Sequence, residues 1–284
     1  MSRMGKKKLF TYRQISPAHL NCTINLAQLY PDERERQQFK KKLEPFLRSD
    51  PYNKEVYAVK DGELIFRSEQ LVPSKKDTRP PLLLVFGNPA SHSVIEGMFF
   101  SPHEDGKENR FWKHLLPRAG IVDLTFDEIL STKERNKRRK KRMTELDYES
   151  PFRVGLCVYF SMPSSAGGPW SGVAGIHKLL GTRALKDLEQ FERDRILHVA
   201  KSFLTGRGIV VTFQRNAWEG LRSDADPTYS IESARKGILK GQLKGMPKIP
   251  LYGVPPTRLI GPCREILRKW TIAKRVEIYK AIRA

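Results

Sequence analysis

Cysteine is scarce. Cys22, Cys157 and Cys263 are three in 284 residues, none in a Cys-x-x-Cys pair or at the ligand spacing of a zinc module. A disulfide framework is excluded, and with Cys157 inside an apolar run all three read as buried thiols of a reducing, intracellular compartment: cytoplasm, nucleoid or nucleus. No apolar stretch approaches the roughly 20 residues of a membrane-spanning helix, and no signal-like apolar core follows the basic Met1 to Lys8 segment. Acidic residues are few as well: 31 Asp and Glu against 52 Lys and Arg leave a formal net charge of +21. Such a field favours polyanions, nucleic acid before an anionic membrane surface. The chain has no Gly-x-x-x-x-Gly-Lys-Ser/Thr stretch, which argues against a P-loop NTPase. Ser171-Gly172-Val173-Ala174-Gly175 is not a nucleophile elbow either.

What is present supports a globular chain, since 39% hydrophobic residues are enough for a core. Residues 1 to 80 read as a basic amino-terminal extension. Pro31-Asp32-Glu33 opens a helix to about Leu47, because proline suits a first turn and acids there meet the positive end of the dipole. Lys60-Asp61-Gly62 between Val56–Val59 and Glu63–Phe66 predicts a β-hairpin. Lys75 to Pro81 reads as a connector.

From Leu82 to Ala284 the pattern alternates strand, loop and helix. Leu82–Phe86, Val154–Phe160, Ile209–Phe213 and Ile249–Tyr252 are apolar on successive residues, as strands covered on both faces are. Thr125-x-x-Glu128 has capping-box spacing, Arg183 to Leu204 carries a helical apolar period, and Cys263 to Ile282 reads as a basic amphipathic helix. The expected fold is α/β, three layers around a short, mainly parallel four-stranded sheet. Ligands of such sheets bind outside the carboxyl ends of the strands. The exits are Gly87-Asn88-Pro89, Ser161-Met162-Pro163, Gln214-Arg215-Asn216 and Gly253-Val254-Pro255-Pro256. None holds a carboxylate cluster, which argues against a metal-dependent nuclease or polymerase.

Val85-Phe86-Gly87-Asn88-Pro89-Ala90, Glu96-Gly97-Met98-Phe99-Phe100 and Asn109-Arg110-Phe111-Trp112-Lys113, in that order, resemble the uracil-DNA glycosylase superfamily. The resemblance is nearest its mismatch-specific uracil/thymine branch. It covers some thirty residues, with the register unbroken from Asn88 to Phe100, and implies hydrolysis of the N-glycosidic bond of a flipped deaminated base in DNA, uracil first. Asn88 would position the attacking water or polarise the base, and Glu96, the one carboxylate of the first loop, is a second catalytic candidate. Gly87, Pro89, Ala90 and Phe100 would hold the base, Phe100 by stacking. Ser164 and Ser165, after the second strand, are candidates for reading its edge.

The family's second signature, a His-Pro-Ser or Asn-Pro-Ser turn followed by a wedge residue, would fall at Val254 to Ile260. Val254 stands where a donor is expected; Thr257 and Arg258 are candidate substitutes, and Leu259 a candidate wedge. Lys133 to Arg142 holds eight basic residues and one acid. Within it Lys137, Arg138, Arg139, Lys140, Lys141 and Arg142 are expected on phosphates. The expected partner is DNA, double- or single-stranded, bound by a monomer that needs no metal or organic cofactor and no membrane. Two alternatives stay open: a module of the same fold that binds damaged DNA without turnover, and a basic RNA- or nucleoprotein-binding protein.

Overall fold

A computed structural model describes residues 8–102, 106–127, 129–204 and 208–283, with side chains as far as residue 273. In chain order the elements are β1 (Phe10–Ser16), β2 (His19–Asn25), α1 (Leu26–Leu29), α2 (Glu33–Arg48), α3 (Pro51–Val56), β3 (Tyr57–Lys60) and β4 (Glu63–Leu71). Then come β5 (Pro81–Phe86), α4 (Ser91–Glu96), a single π-helical turn at Phe111–Leu115, α5 (Thr132–Glu145) and β6 (Arg153–Val158). The chain closes with α6 (Gly172–Leu180), α7 (Thr182–Phe203), β7 (Ile209–Thr212), α8 (Arg215–Leu221), α9 (Ile231–Lys236), β8 (Lys240–Leu243), β9 (Met246–Gly253) and α10 (Ile260–Arg283).

The four apolar runs become β5, β6, β7 and β9, and they lie side by side in the order β6-β5-β7-β9, all parallel. A four-stranded sheet is nevertheless not what forms. Among the described residues nine strands make one mixed sheet, in which β4, β2, β1 and β3 extend one side and β8 the other, all by antiparallel pairing. Helices cover both faces of the parallel block because alternate residues point opposite ways. Leu82, Leu84 and Phe86 join Leu156, Val211, the π-turn and α10 in one buried cluster. Leu83 and Val85 join Cys157, Val210, α7 and α8 in another.

Residues 8–71 are built into this frame. β4 pairs with β6 at Gln70–Cys157 and Leu71–Leu156. Leu20, Ile24, Phe46 and Phe66 share a third buried cluster with Val94, Met162 and residues of α6 and α7. The Asp61-Gly62 turn takes positive φ at both positions, 52° and 75°, as a tight hairpin requires. The cap expected at Thr125 forms six residues later. Glu128 lies outside the described residues, and α5 starts from Ser131, whose hydroxyl accepts the Glu134 N–H at 3.2 Å. Cys22, Cys157 and Cys263 are buried free thiols, and burial pushes Cys22 and Cys157 up to about 12. Among the described residues no helix is long and apolar enough to cross a membrane.

Candidate functional site

The chain leaves β5 for β6 on one side, then crosses to β7 on the other. The seam between the carboxyl ends of β5 and β7 is therefore the topological switch point. Gly87 sits there because nothing larger fits: a Cβ would lie 2.1 Å from Oε1 of Gln214, the residue that opens the β7 exit. Gly87 is also built into the sheet, its carbonyl accepting Phe160 N–H at 2.8 Å.

Beyond Gly87 the loops leaving β5 and β6 are laced together. Ser164 N–H donates to Pro89 O and Ser91 N–H to Ser164 O, both at 3.0 Å, which adds an isolated parallel bridge at Ala90–Ser164. Ser91 N–H is thus already taken. Half-buried Asn88 is held at this junction. Its Nδ2 donates to Ser164 Oγ at 2.9 Å and to Met162 O at 3.2 Å. With both amide protons directed inward, Oδ1 remains as the acceptor, a neutral group suited to orienting a water rather than to deprotonating it. Ser164 accepts from Gly172 N–H as well, at 2.8 Å, so its hydroxyl sets the Asn88 rotamer and has little capacity left for a base. Ser165 is buried against the amino-terminal region, its Oγ 2.9 Å from Ser49 Oγ and 3.3 Å from Asn53 Nδ2. A base-reading role for Ser165 is set aside on that placement.

The support behind these loops was not legible in the residue pattern. Tyr57 donates its hydroxyl proton to Pro163 O at 2.5 Å. Glu192 and Arg195 form a buried pair at 2.9 Å, with Glu192 accepting Ser161 N–H at 2.7 Å and Arg195 donating to Val158 O at 2.6 Å. The one available signal was two opposite charges three residues apart on the apolar side of α7.

Phe100 adopts a left-handed φ of 51°, unusual for a side chain of its size. Its neighbours over-determine that backbone. Trp112 Nε1–H donates to Phe99 O at 2.8 Å, the His92 ring lies 3.2 Å from Ser101 O, and Asn136 Nδ2 donates to Ser101 Oγ at 2.9 Å. The Phe100 ring stacks on Phe111 (4.1 Å between centroids, 22° between planes) and meets the Phe86 ring edge-on at 5.0 Å. Phe111 is 1% exposed and Phe100 only partly buried, so Phe111 backs the ring and the opposite face is the open one. The pair forms part of a cleft of about 420 Å³ that Asn109, Arg110, Thr257 and Arg258 also line. Asn109 Oδ1 accepts Phe111 N–H at 2.9 Å and starts the π-turn, and Phe111 and Trp112 are buried.

The expected site residues therefore fall into two groups. Gly87, Asn88, Pro89, Ala90 and Ser164 form the β5–β6 junction, while Phe100, Thr257 and Arg258 share the cleft. Asn88 does not line that cleft. The Phe86 ring, two residues before Asn88 and edge-on to Phe100, connects the groups. Glu96 is exposed at the last turn of α4, outside the cleft, and is not retained as a base. Leu259 is half-buried as the chain enters α10, and its N–H donates to Pro256 O at 2.8 Å. Val254 is buried and extends the β7–β9 ladder through Thr212 O at 2.9 Å.

The basic run lies on α5, but its charges differ in availability. Arg139 is buried, paired with Glu108 at 2.6 Å and stacked over Trp112 at 4.5 Å, so it cannot reach a phosphate. Lys140 is half-buried, and that burial lowers its pKa. Arg138 pairs with Glu134 at 2.9 Å, and Arg142 lies 5.4 Å from the Phe126 ring centroid. Lys137 and Lys141 are exposed one helical turn apart. Among the described residues no three His, Cys, Asp or Glu side chains are grouped as metal ligands. No protein-family model matches the chain, and no curated protein matches its sequence.

Proposed function

We propose that this protein is a monofunctional DNA glycosylase of the uracil-DNA glycosylase type, acting on a deaminated base, uracil first, flipped out of DNA. The observation that carries the reading is Asn88. It stands at the carboxyl end of β5, its amide nitrogen tied to Met162 O and Ser164 Oγ, which leaves a fixed carbonyl oxygen as acceptor. Such an oxygen can hold one proton of a water aimed at the anomeric carbon. As the C–N bond breaks, the bonding pair leaves with the base as an anion and the sugar becomes oxocarbenium-like. The water oxygen then bonds to that carbon while its proton passes to the departed base or to solvent. The Phe100–Phe111 pair offers an aromatic platform, and Arg110 and Arg258 offer cations at the mouth of its cleft. Lys137 and Lys141 add phosphate contacts that orient the nucleic acid without specifying sequence.

The test is incubation with single-stranded uracil, U:A and G:U oligonucleotides, followed by alkaline cleavage at abasic sites. Product is expected from the wild-type chain and its loss from Asn88→Ala. Absence of product from every substrate, or equal product from the variant, refutes the reading. A second reading is favoured by the buried apolar Val254, by the exposed Glu96 and by the separation of Asn88 from the cleft: a module that binds damaged DNA without turnover. Tight binding to uracil-bearing or abasic DNA with no strand cleavage would select it.

A further inference from the structure

The two outermost strands of the sheet end differently. β8 is closed off: Ser223 N–H donates to Gln242 O at 3.0 Å, and Gln242 N–H donates to the Asp226 carboxylate at 2.7 Å. Among the described residues β1 has no such cover. Asn25 N–H donates to Leu9 O at 2.9 Å, which makes Leu9 and Asn25 a hydrogen-bonded pair of the antiparallel ladder. By the alternation of that ladder, Thr11 and Arg13 turn their backbone groups toward β2, and Phe10, Tyr12 and Gln14 turn theirs outward. Among the described residues no backbone or side-chain group meets the outward ones. Thr11 to Ile15 are exposed in succession, with Tyr12 at 38% and Ile15 at 53%, and Phe191 of α7 adds a further exposed ring 6.4 Å from Phe10. In a chain of net charge +21, this strand carries one charge, Arg13.

We propose that the protein forms a two-fold symmetric dimer by antiparallel pairing of β1 with β1 of a second copy, joining the two sheets into one. The strand is complementary to itself in a single favoured register. A dyad through Tyr12 sets Tyr12 against Tyr12 of the second copy, Phe10 against Gln14 and Arg13 against Thr11, and brings Ile15 opposite Leu9. Every outward backbone group from Phe10 to Gln14 then gains a partner, an aromatic pair stands at the centre, and no like charges face each other. A dyad through Arg13 also pairs outward groups but opposes two guanidinium groups, and a dyad through Thr11 pairs only Phe10 with Tyr12 and leaves Gln14 opposite Lys8, outside the strand. The arrangement is isologous and closed, which stops growth at two copies. Repulsion between the two basic bodies is confined by screening over about 8 Å at physiological salt.

The test uses the full chain in light scattering at roughly 0.15 M salt. The expected mass rises with concentration toward twice 32.7 kDa. Gln14→Pro removes an outward N–H that β2 does not use and should hold the mass at 32.7 kDa. Tyr12→Lys, which sets like charges at the dyad through a side chain already exposed, should do the same. Because the native cysteines are buried, an added thiol reports the register: Tyr12→Cys should give a disulfide-linked dimer on mild oxidation and Thr11→Cys should not. A wild-type mass of 32.7 kDa at every soluble concentration overturns the proposal. So does a dimer that survives both edge substitutions, or one that cross-links equally through Thr11→Cys and Tyr12→Cys.

Discussion

Replacing Lys137 and Lys141 together by alanine removes two exposed cations from one face of α5 without touching a buried contact. If each neutralises one phosphate of duplex DNA, the slope of log affinity against log salt becomes shallower by about 0.9 per lysine, or about 1.8 in all. Between about 50 and 200 mM salt, where log concentration changes by about 0.6, the double variant should lose roughly tenfold less affinity than the wild-type chain. Fluorescence anisotropy with a labelled duplex across that range reads the slope directly. Arg139→Met is the contrasting substitution. It strips Glu108 of its buried partner and should destabilise the fold by about 3–5 kcal/mol, seen in denaturant unfolding. An unchanged salt slope in the double variant would refute the assignment of α5 to the phosphate backbone. A slope change from Arg139→Met at full stability would refute the buried role of that residue.

Three further outcomes follow from the same geometry. Gly87→Ala places a methyl group 2.1 Å from Gln214 Oε1 and should cost about 1–3 kcal/mol, largely restored by adding Gln214→Ala; thermal unfolding of the single and double variants decides it. Ser164→Ala removes one of the acceptors that orient Asn88 and should slow base release in single-turnover assays about tenfold, equivalent to ~1.4 kcal/mol of barrier, whereas an unchanged rate would mean the amide needs no such support. Glu69 is buried on β4 with Oε1 unpartnered, and burial pushes its carboxyl from 4.5 up to about 8. Between about pH 4.5 and 8 the folded state therefore holds a proton the unfolded state has released, so the contribution of Glu69 to stability is most favourable below pH 4.5 and falls by up to ~1.4 kcal/mol per pH unit until about pH 8. Glu69→Gln should flatten that dependence, and denaturant midpoints at about pH 5 and about pH 8 test it.

What could be read from the residues was local. Successive apolar side chains marked β5, β6 and β7, which are buried at every position because both faces are covered, and also β9, which buries alternate residues. Asp61-Gly62 marked its hairpin because few residues accept positive φ in sequence, and Asn88 was singled out by the family resemblance of its motif together with its place at a strand exit. β1 and β2 escaped notice, since one is exposed almost throughout and the other buries only alternate residues of moderate size. The basic run gave no sign that Arg139 would be buried, because a cation's burial depends on whether Glu108 and Trp112 arrive beside it. Ser164 and Ser165 are neighbours in sequence, yet one holds Asn88 and the other faces Ser49 and Asn53; side-chain direction in a loop is set by what packs against it. The Glu192–Arg195 support and the Phe100–Phe111 stack likewise join residues from different elements. Composition and short-range pattern determined the charge, the hairpin, the four parallel strands and the loops at their ends. Which side chains meet at those ends was decided only by the packing of nine strands and their covering helices, because long-range contacts depend on geometry that no local period encodes.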